Sequence, residues 1–295
     1  MASKLSSASS STMIFLTFFM IFWCRRCYAD SNGLEGALCL PPSEAESSPT
    51  WTENRNSMFR KLEANVILNN GYYIAEAGEK GPDRVYGLIQ CRGDISKSNC
   101  TNCTRDSFNL KRHSCGEEGK TVMIWQKWCF LRYSNERFYG VWERTSAAIS
   151  SLNISRSYEQ AAVASKGMMM MMELAAAAPE ESLMFAKGVI DDGLGGKRYG
   201  LTQCTRDLGK SDCRGCLESL LNKSGYQTIV FRERSWDIYG VGCFVLYGDT
   251  QFYFNTSAEE GLGEPTPPKS NAANRGLAAR LSMAITIFMT TMAFL

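Results

Sequence analysis

The amino-acid sequence predicts an α+β protein of two tandem disulfide-stabilised domains, in each of which a helix packs on an antiparallel sheet. Three observations predict it. One block of sequence occurs twice at a constant offset, helical spacing of apolar residues alternates with aromatic and β-branched runs, and a set of cysteines recurs in each block. The 295 residues accommodate two domains of about 100–150 residues and leave both ends over.

Taken in chain order, the first element is a targeting segment. Lys4 precedes the apolar run Met13–Trp23, and the small residue Ala29 follows, which reads as a signal peptide (1–29) cut after Ala29. Eleven residues rise about 16 Å as a helix, short of the roughly 30 Å hydrocarbon core of a bilayer. Removal takes Cys24 and Cys27 with it and leaves ten cysteines in an oxidising compartment.

The first domain is expected over 30–150. Thr50-Trp51-Thr52-Glu53 reads as a capping box, followed at helical spacing by Met58, Phe59, Leu62, Val66 and Ile67. The repeated block then begins with Tyr86-Gly87-Leu88-Ile89-Gln90-Cys91 and runs through Asp94 to Cys100 and Cys103. A second helix is expected from Ser98, which places Cys100 and Cys103 on one face. Strands are expected at Thr121–Tyr133 and Arg137–Trp142.

The second domain is expected over 151–257. Ser157-Tyr158-Glu159-Gln160 is a weaker capping box before a helix that carries the run Met168–Met172. Five adjacent methionines point all round a helix, so an adaptable core face is favoured over thioether copper ligation. The block returns 113 residues on as Tyr199-Gly200-Leu201-Thr202-Gln203-Cys204, with Asp207, Cys213 and Cys216. Its helix is expected from Ser211, with strands at Tyr226–Arg232, Ile238–Tyr247 and Gln251–Asn255. Cys129-Phe130-Leu131-Arg132-Tyr133 and Cys243-Phe244-Val245-Leu246-Tyr247 are matching later flanks.

The chain closes with a Pro-rich stalk (258–271) and a C-terminal attachment signal (272–295). Small residues at Ser270 or Asn271, the polar spacer Ala273–Arg280 and the apolar tail Leu281–Leu295 have the order of a glycosylphosphatidylinositol signal. The competing reading is a short membrane span. Loss of Lys4, Arg25, Arg26, Arg275 and Arg280 leaves 27 basic against 30 acidic residues, about −3 in place of +2. That charge offers no electrostatic footprint for nucleic acid.

Cys39 and Cys115 have no counterpart in the second block. A bridge is lost whole, because a lone survivor leaves an unpaired thiol, and this predicts Cys39–Cys115. The partners among Cys91, Cys100, Cys103 and Cys129, and among Cys204, Cys213, Cys216 and Cys243, stay open on this ground alone.

The Tyr-Gly-Leu-x-Gln-Cys lead, the C-x8-C-x2-C spacing and the later Cys-Phe flank resemble the plant cysteine-rich repeat domain over residues 34–257. This domain is also called ginkbilobin-type or stress-antifungal. Tandem copies are similar to the cysteine-rich repeat secretory proteins, to the ectodomains of cysteine-rich receptor-like kinases and to plasmodesmata-located proteins. The resemblance implies a sheet of about five strands on two helices. It also implies the bridges Cys91–Cys100, Cys103–Cys129, Cys204–Cys213 and Cys216–Cys243 beside Cys39–Cys115. The positions that bind mannose in the ginkbilobin-type lectin are Leu40, Met123 and Ser134 in the first copy and Asp237 and Gly248 in the second. None keeps the hydrogen-bonding set that sugar hydroxyls need.

The cysteine pairs read as bridges rather than zinc ligands or redox thiols, given export. His113, in the polar stretch Lys111–Ser114, reads as a solvated side chain rather than a catalytic base. Sequons at Asn153, Asn222 and Asn255 mark glycosylation. The function expected is a non-enzymatic module without cofactor or metal, on the outer side of the plasma membrane. Its expected partners are surface or wall proteins or glycans. The alternatives are a plasmodesma-located regulator of cell-to-cell traffic and a secreted antifungal carbohydrate-binding protein.

Overall fold

A computed structural model describes residues 32–40, 48–116, 119–150, 159–255 and 262. Both repeats lie within one compact unit that ends at Gly263. The signal segment, Asn153, Ser270, Asn271 and the apolar tail lie outside the described residues.

Repeat 1 contains strands β1 (Leu34–Leu40), β2 (Tyr72–Ala77), β3 (Val85–Cys91), β4 (Thr121–Gln126) and β5 (Cys129–Ser134). Its helices are α1 (Pro49–Asn65) and α2 (Lys97–Cys115). Repeat 2 contains β6 (Glu143–Ser150), β7 (Phe185–Asp191), β8 (Lys197–Cys204), β9 (Trp236–Val241) and β10 (Cys243–Gly248), with helices α3 (Ala161–Ala177), α4 (Lys210–Leu221) and the short α5 (Gln227–Arg232). The two sheets are antiparallel and share one topology, β1-β4-β5-β3-β2 and β6-β9-β10-β8-β7. The α+β fold with a five-stranded sheet in each repeat is therefore as expected.

Several local expectations are corrected. Helix α1 is capped one turn-start earlier than Thr50: Ser48 Oγ accepts from Trp51 N at 3.0 Å, and Pro49 takes the first helical position, where its missing N–H is harmless. Ser96 rather than Ser98 caps α2, and Gly209 rather than Ser211 precedes α4. Gln160 stands at the cap of α3 with no side-chain bond, because Glu159 is drawn into a buried ion pair instead. The runs Thr121–Tyr133 and Ile238–Tyr247 are each two strands. Tyr226–Arg232 is not a strand: its β-branched residues close as α5, which packs Ile229 and Val230 on the repeat 2 core. Arg137–Trp142 and Gln251–Asn255 carry no strand, since their aromatic residues fold back over the sheets.

The boundary at 150/151 also moves. Strand β6 pairs with β9, so Glu143–Ser150 belongs to repeat 2. The phase of the repeat explains this: each repeat opens with an edge strand before its first cysteine-bearing helix, and β1 is the matching strand of repeat 1.

Each sheet packs one face on its own helices. Met58 and Leu62 of α1, and Val66 at its C-terminal cap, meet Ile89, Val122 and Leu131 in repeat 1. Met170 and Met171 of α3 meet Leu217, Ile238 and Val245 in repeat 2. The other faces of the two sheets pack on each other in a third cluster that includes Leu88, Trp125, Phe130, Leu201, Tyr239 and Leu246.

Candidate functional site

The repeated motif is a strand that faces two ways. Alternation along β3 sends Gly87, Ile89 and Cys91 toward the helices and Tyr86, Leu88 and Gln90 toward repeat 2. On β8, Gly200, Thr202 and Cys204 and then Tyr199, Leu201 and Gln203 divide in the same way. The glycine has a specific task. A Cβ at Gly87 would collide with Met58 of α1, and one at Gly200 would lie 2.7 Å from Met171 Sδ of α3. Met58 and Met171 are themselves 113 residues apart, so each repeat crosses its first helix over the glycine.

The glutamines form a reciprocal lock across the seam. Gln90 Nε2 donates to Cys204 O (2.9 Å), and Arg206 N donates to Gln90 Oε1 (2.8 Å). Gln203 Nε2 donates to Cys91 O (3.1 Å), and Gly93 N donates to Gln203 Oε1 (3.1 Å). The two pairs of bonds superpose under the repeat offset, which gives the seam a pseudo-twofold character. Both amides are buried, at 4% and 1% exposure, and each satisfies a buried backbone carbonyl of the other repeat, Cys204 O or Cys91 O.

The motif aspartates act in the same reciprocal way. Asp94 Oδ2 accepts from Phe254 N (2.8 Å), on the segment that leaves β10. Asp207 Oδ2 accepts from Gly140 N (2.9 Å), on the segment that leaves β5. Tyr139 and Tyr253 precede those two residues and are buried in the seam. Tyr139 Oη bonds Ala75 O and Gly87 O, and Tyr253 Oη bonds Gly188 O. Burial pushes the Tyr139 hydroxyl well above its ordinary range, so it remains a donor. Trp125 Nε1 donates to Gly240 O at 3.1 Å and adds a further cross-seam bond.

The ten cysteines of the described residues are all bridged: Cys39–Cys115, Cys91–Cys100, Cys103–Cys129, Cys204–Cys213 and Cys216–Cys243. These are the pairs named from repeat arithmetic and from the resemblance. Eight of these residues are buried, and Cys39 and Cys115 are partly exposed. Asn222, at the end of α4, and Asn255 are exposed. His113 is exposed on α2, beside a 270 Å³ recess that Asn32, Asp106 and Asn109 also line. Met170 and Met171 are buried while Met169 is 64% exposed, so the methionines do not converge.

The lectin positions do not form a sugar site. Met123 is buried in the seam, Ser134 is bonded to Thr121 Oγ1, and Leu40 is exposed. Asp237 and Gly248 lie on β9 and β10 of the other repeat. Among the described residues no group of three or more His, Cys, Asp or Glu side chains is placed to hold a metal ion.

Repeat 2 carries a polar recess of 470 Å³ at the start of α3. Arg198 donates to both oxygens of Glu159 (2.6 and 2.8 Å) and to Asp192 Oδ2 (2.8 Å). The N–H groups of Leu194 and Gly196 hold the Asp192 carboxyl below its usual range, with Arg198 adding to the effect and burial opposing it. Gln160, Gly195 and Arg234 complete the wall.

Sequence reading assigned no role to Gln90, Gln203, Asp94 or Asp207. Their recurrence at a fixed offset inside the motif was the available signal.

The chain matches the salt stress response/antifungal family over residues 38–136 and 149–250. It belongs to that family. It is 29% identical over 209 residues to an antimicrobial ginkbilobin-2-like protein of Castanea crenata, covering 71% of this chain and 84% of that one. It is 27% identical to cysteine-rich repeat secretory protein 55 of Arabidopsis thaliana, covering 74% and 82%. It is 31% identical over 235 residues to cysteine-rich receptor-like protein kinase 6 of the same plant, covering 78% of this chain but only 33% of the kinase. The match to such kinases lies in their ectodomain. The fold is that of the tandem DUF26 ectodomain of the Arabidopsis thaliana cysteine-rich receptor-like protein PDLP8, with a TM-score of 0.58, 22% identity and coverage of 73% and 97%. The chain thus carries two copies of the family's domain, and its fold is that of a tandem ectodomain.

Proposed function

We propose that this protein is a non-enzymatic extracellular recognition module, held at the outer face of the plasma membrane by a lipid at Ser270 or Asn271. One observation carries the reading: every cysteine of the described residues is in a bridge, and the motif's polar side chains are spent on joining the repeats. Such a molecule is a rigid scaffold for an oxidising space and leaves its outer surface for contacts. The polar recess at Glu159, Asp192 and Arg198 suits a ligand rich in hydroxyls or amides, as surface proteins and wall glycans are. Glycans at Asn153, Asn222 and Asn255 accompany export. Among the described residues no helix is long and apolar enough to cross a membrane.

The test is a fluorescent tag inserted just after Asp30, followed in living cells and then treated with a phosphatidylinositol-specific phospholipase. A continuous surface signal released by the enzyme is expected. Retention in the membrane contradicts the lipid anchor, and punctate signal confined to wall channels favours a role in cell-to-cell traffic instead.

A further inference from the structure

The chain does not leave the fold from repeat 2. Beyond β10 it crosses the seam onto repeat 1. Phe252 O accepts from Arg92 Nη2 (3.3 Å), and Phe254 N donates to Asp94 Oδ2 (2.8 Å). Arg92 and Asp94 are each 2% exposed and are paired with each other at 2.6 and 3.1 Å, so this clamp is built into the interior of repeat 1. The Phe254 ring meets Trp128 edge to face at 6.0 Å and lies 5.8 Å from the Arg92 guanidinium. Farther on, Leu262 is 1% exposed and sits in the core cluster of repeat 1. Its seat is Gly71, with φ at +77°, where a Cβ would lie 2.5 Å from Leu262 Cδ1. The glycine both turns the chain after α1 and leaves room for the leucine.

We propose that Phe252–Phe254 and Leu262 are the fastenings of a strap to repeat 1, which take up tension entering from the C-terminal side before that tension reaches the sheet of repeat 2. Followed inward from that side, the chain meets Leu262 in the repeat 1 core first. It meets Phe254 at Asp94 and Arg92 second, where Lys187 of repeat 2 also donates to Phe254 O (2.7 Å). Tyr253, bonded to Gly188 of repeat 2, comes third. The family match ends at 250, and the stalk was expected from 258, so neither boundary includes Leu262 in a folded repeat. The value of the strap to a tethered protein rests on the lipid-anchored reading, but its existence is tested without a membrane.

The experiment is amide hydrogen exchange on the full chain and on its Leu262→Ala and Phe254→Ala variants. The strap predicts that both substitutions speed exchange in residues 66–71 and 90–94 by roughly tenfold, as a local opening does. Residues 213–221 and 243–248 of repeat 2 should exchange as before. Unchanged exchange in repeat 1, a rise confined to repeat 2, or an equal rise in both overturns the proposal. A failure here leaves the phospholipase result standing by itself.

Discussion

Repeat 1 and repeat 2 reach the same strand order yet fasten their helices to the sheet by different means. In repeat 1 the start of α1 is held by a hydroxyl cap: Ser48 Oγ accepts from Trp51 N and donates to Asp83 Oδ1 at 2.6 Å, while Asn54 Nδ2 reaches Asp83 O. In repeat 2 the start of α3 is held by the buried Glu159–Arg198–Asp192 cluster, and Glu159 N donates to Arg232 O of α5. The far end of α2 is bridged to β1 by Cys39–Cys115, whereas α4 stops sooner and α5 occupies the place where Thr228 stands for Cys115. What stays common to both repeats is the two-faced motif strand, the two motif bridges and the reciprocal seam. Peripheral fastenings are interchangeable because any of several chemistries can tie a helix to a sheet. The seam is not, because each half must satisfy backbone groups of the other.

The two repeats differ most in stability at the extra bridge of repeat 1. Replacing both Cys39 and Cys115 with serine releases a 76-residue loop closure and is expected to lower stability by about 4 kcal/mol. The midpoint of denaturant unfolding measures this, and a loss well under that size means β1 and α2 hold together without the bridge.

The buried cluster of repeat 2 comes next. Glu159→Ala leaves the Arg198 guanidinium buried, with Asp192 as its remaining carboxylate, and is expected to destabilise the fold by about 3 kcal/mol. The same cluster gives repeat 2 an acid sensitivity. The Asp192 carboxyl titrates below its unfolded value, so its contribution is present above that unfolded value and is lost as pH falls through the folded one. Exchange protection relative to the intrinsic rate should therefore be lost in residues 191–204 on acidification before it is lost in 76–84, and the reverse order would place the acid-labile fastening in repeat 1. The smallest effect is at the Ser48 cap, where Ser48→Ala should lower the thermal midpoint by the equivalent of about 1 kcal/mol.

These differences also show what could be read from the chain beforehand. The fold class, the tandem organisation and the Cys39–Cys115 pair were legible because a repeat exposes both what recurs and what is missing. The start of α1 was misplaced at Thr50 because the pattern Thr-x-x-Glu was read as the cap, and only the bond from Trp51 N to Ser48 Oγ shows which residue caps. Tyr226–Arg232 looked like a strand because local β propensity says nothing of a neighbouring helix that can accept Ile229 and Val230. Gln90 and Gln203 stood in plain view within the motif. Their partners are backbone atoms more than 110 residues away, and no local pattern marks a backbone acceptor.

Through the glutamine pair the seam makes the two repeats one cooperative body. Segment-resolved hydrogen exchange across a denaturant series tests it on the full chain and on the Gln90→Ala, Gln203→Ala double variant. Each substitution leaves buried backbone groups unpaired, at a cost of about 1–3 kcal/mol. In the parent chain the core segments of α2 and α4 should open together at one denaturant concentration, and in the double variant they should separate into two transitions. Independent opening of α2 and α4 in the parent chain, or an undivided transition in the variant, would show that the glutamine pair does not couple the repeats.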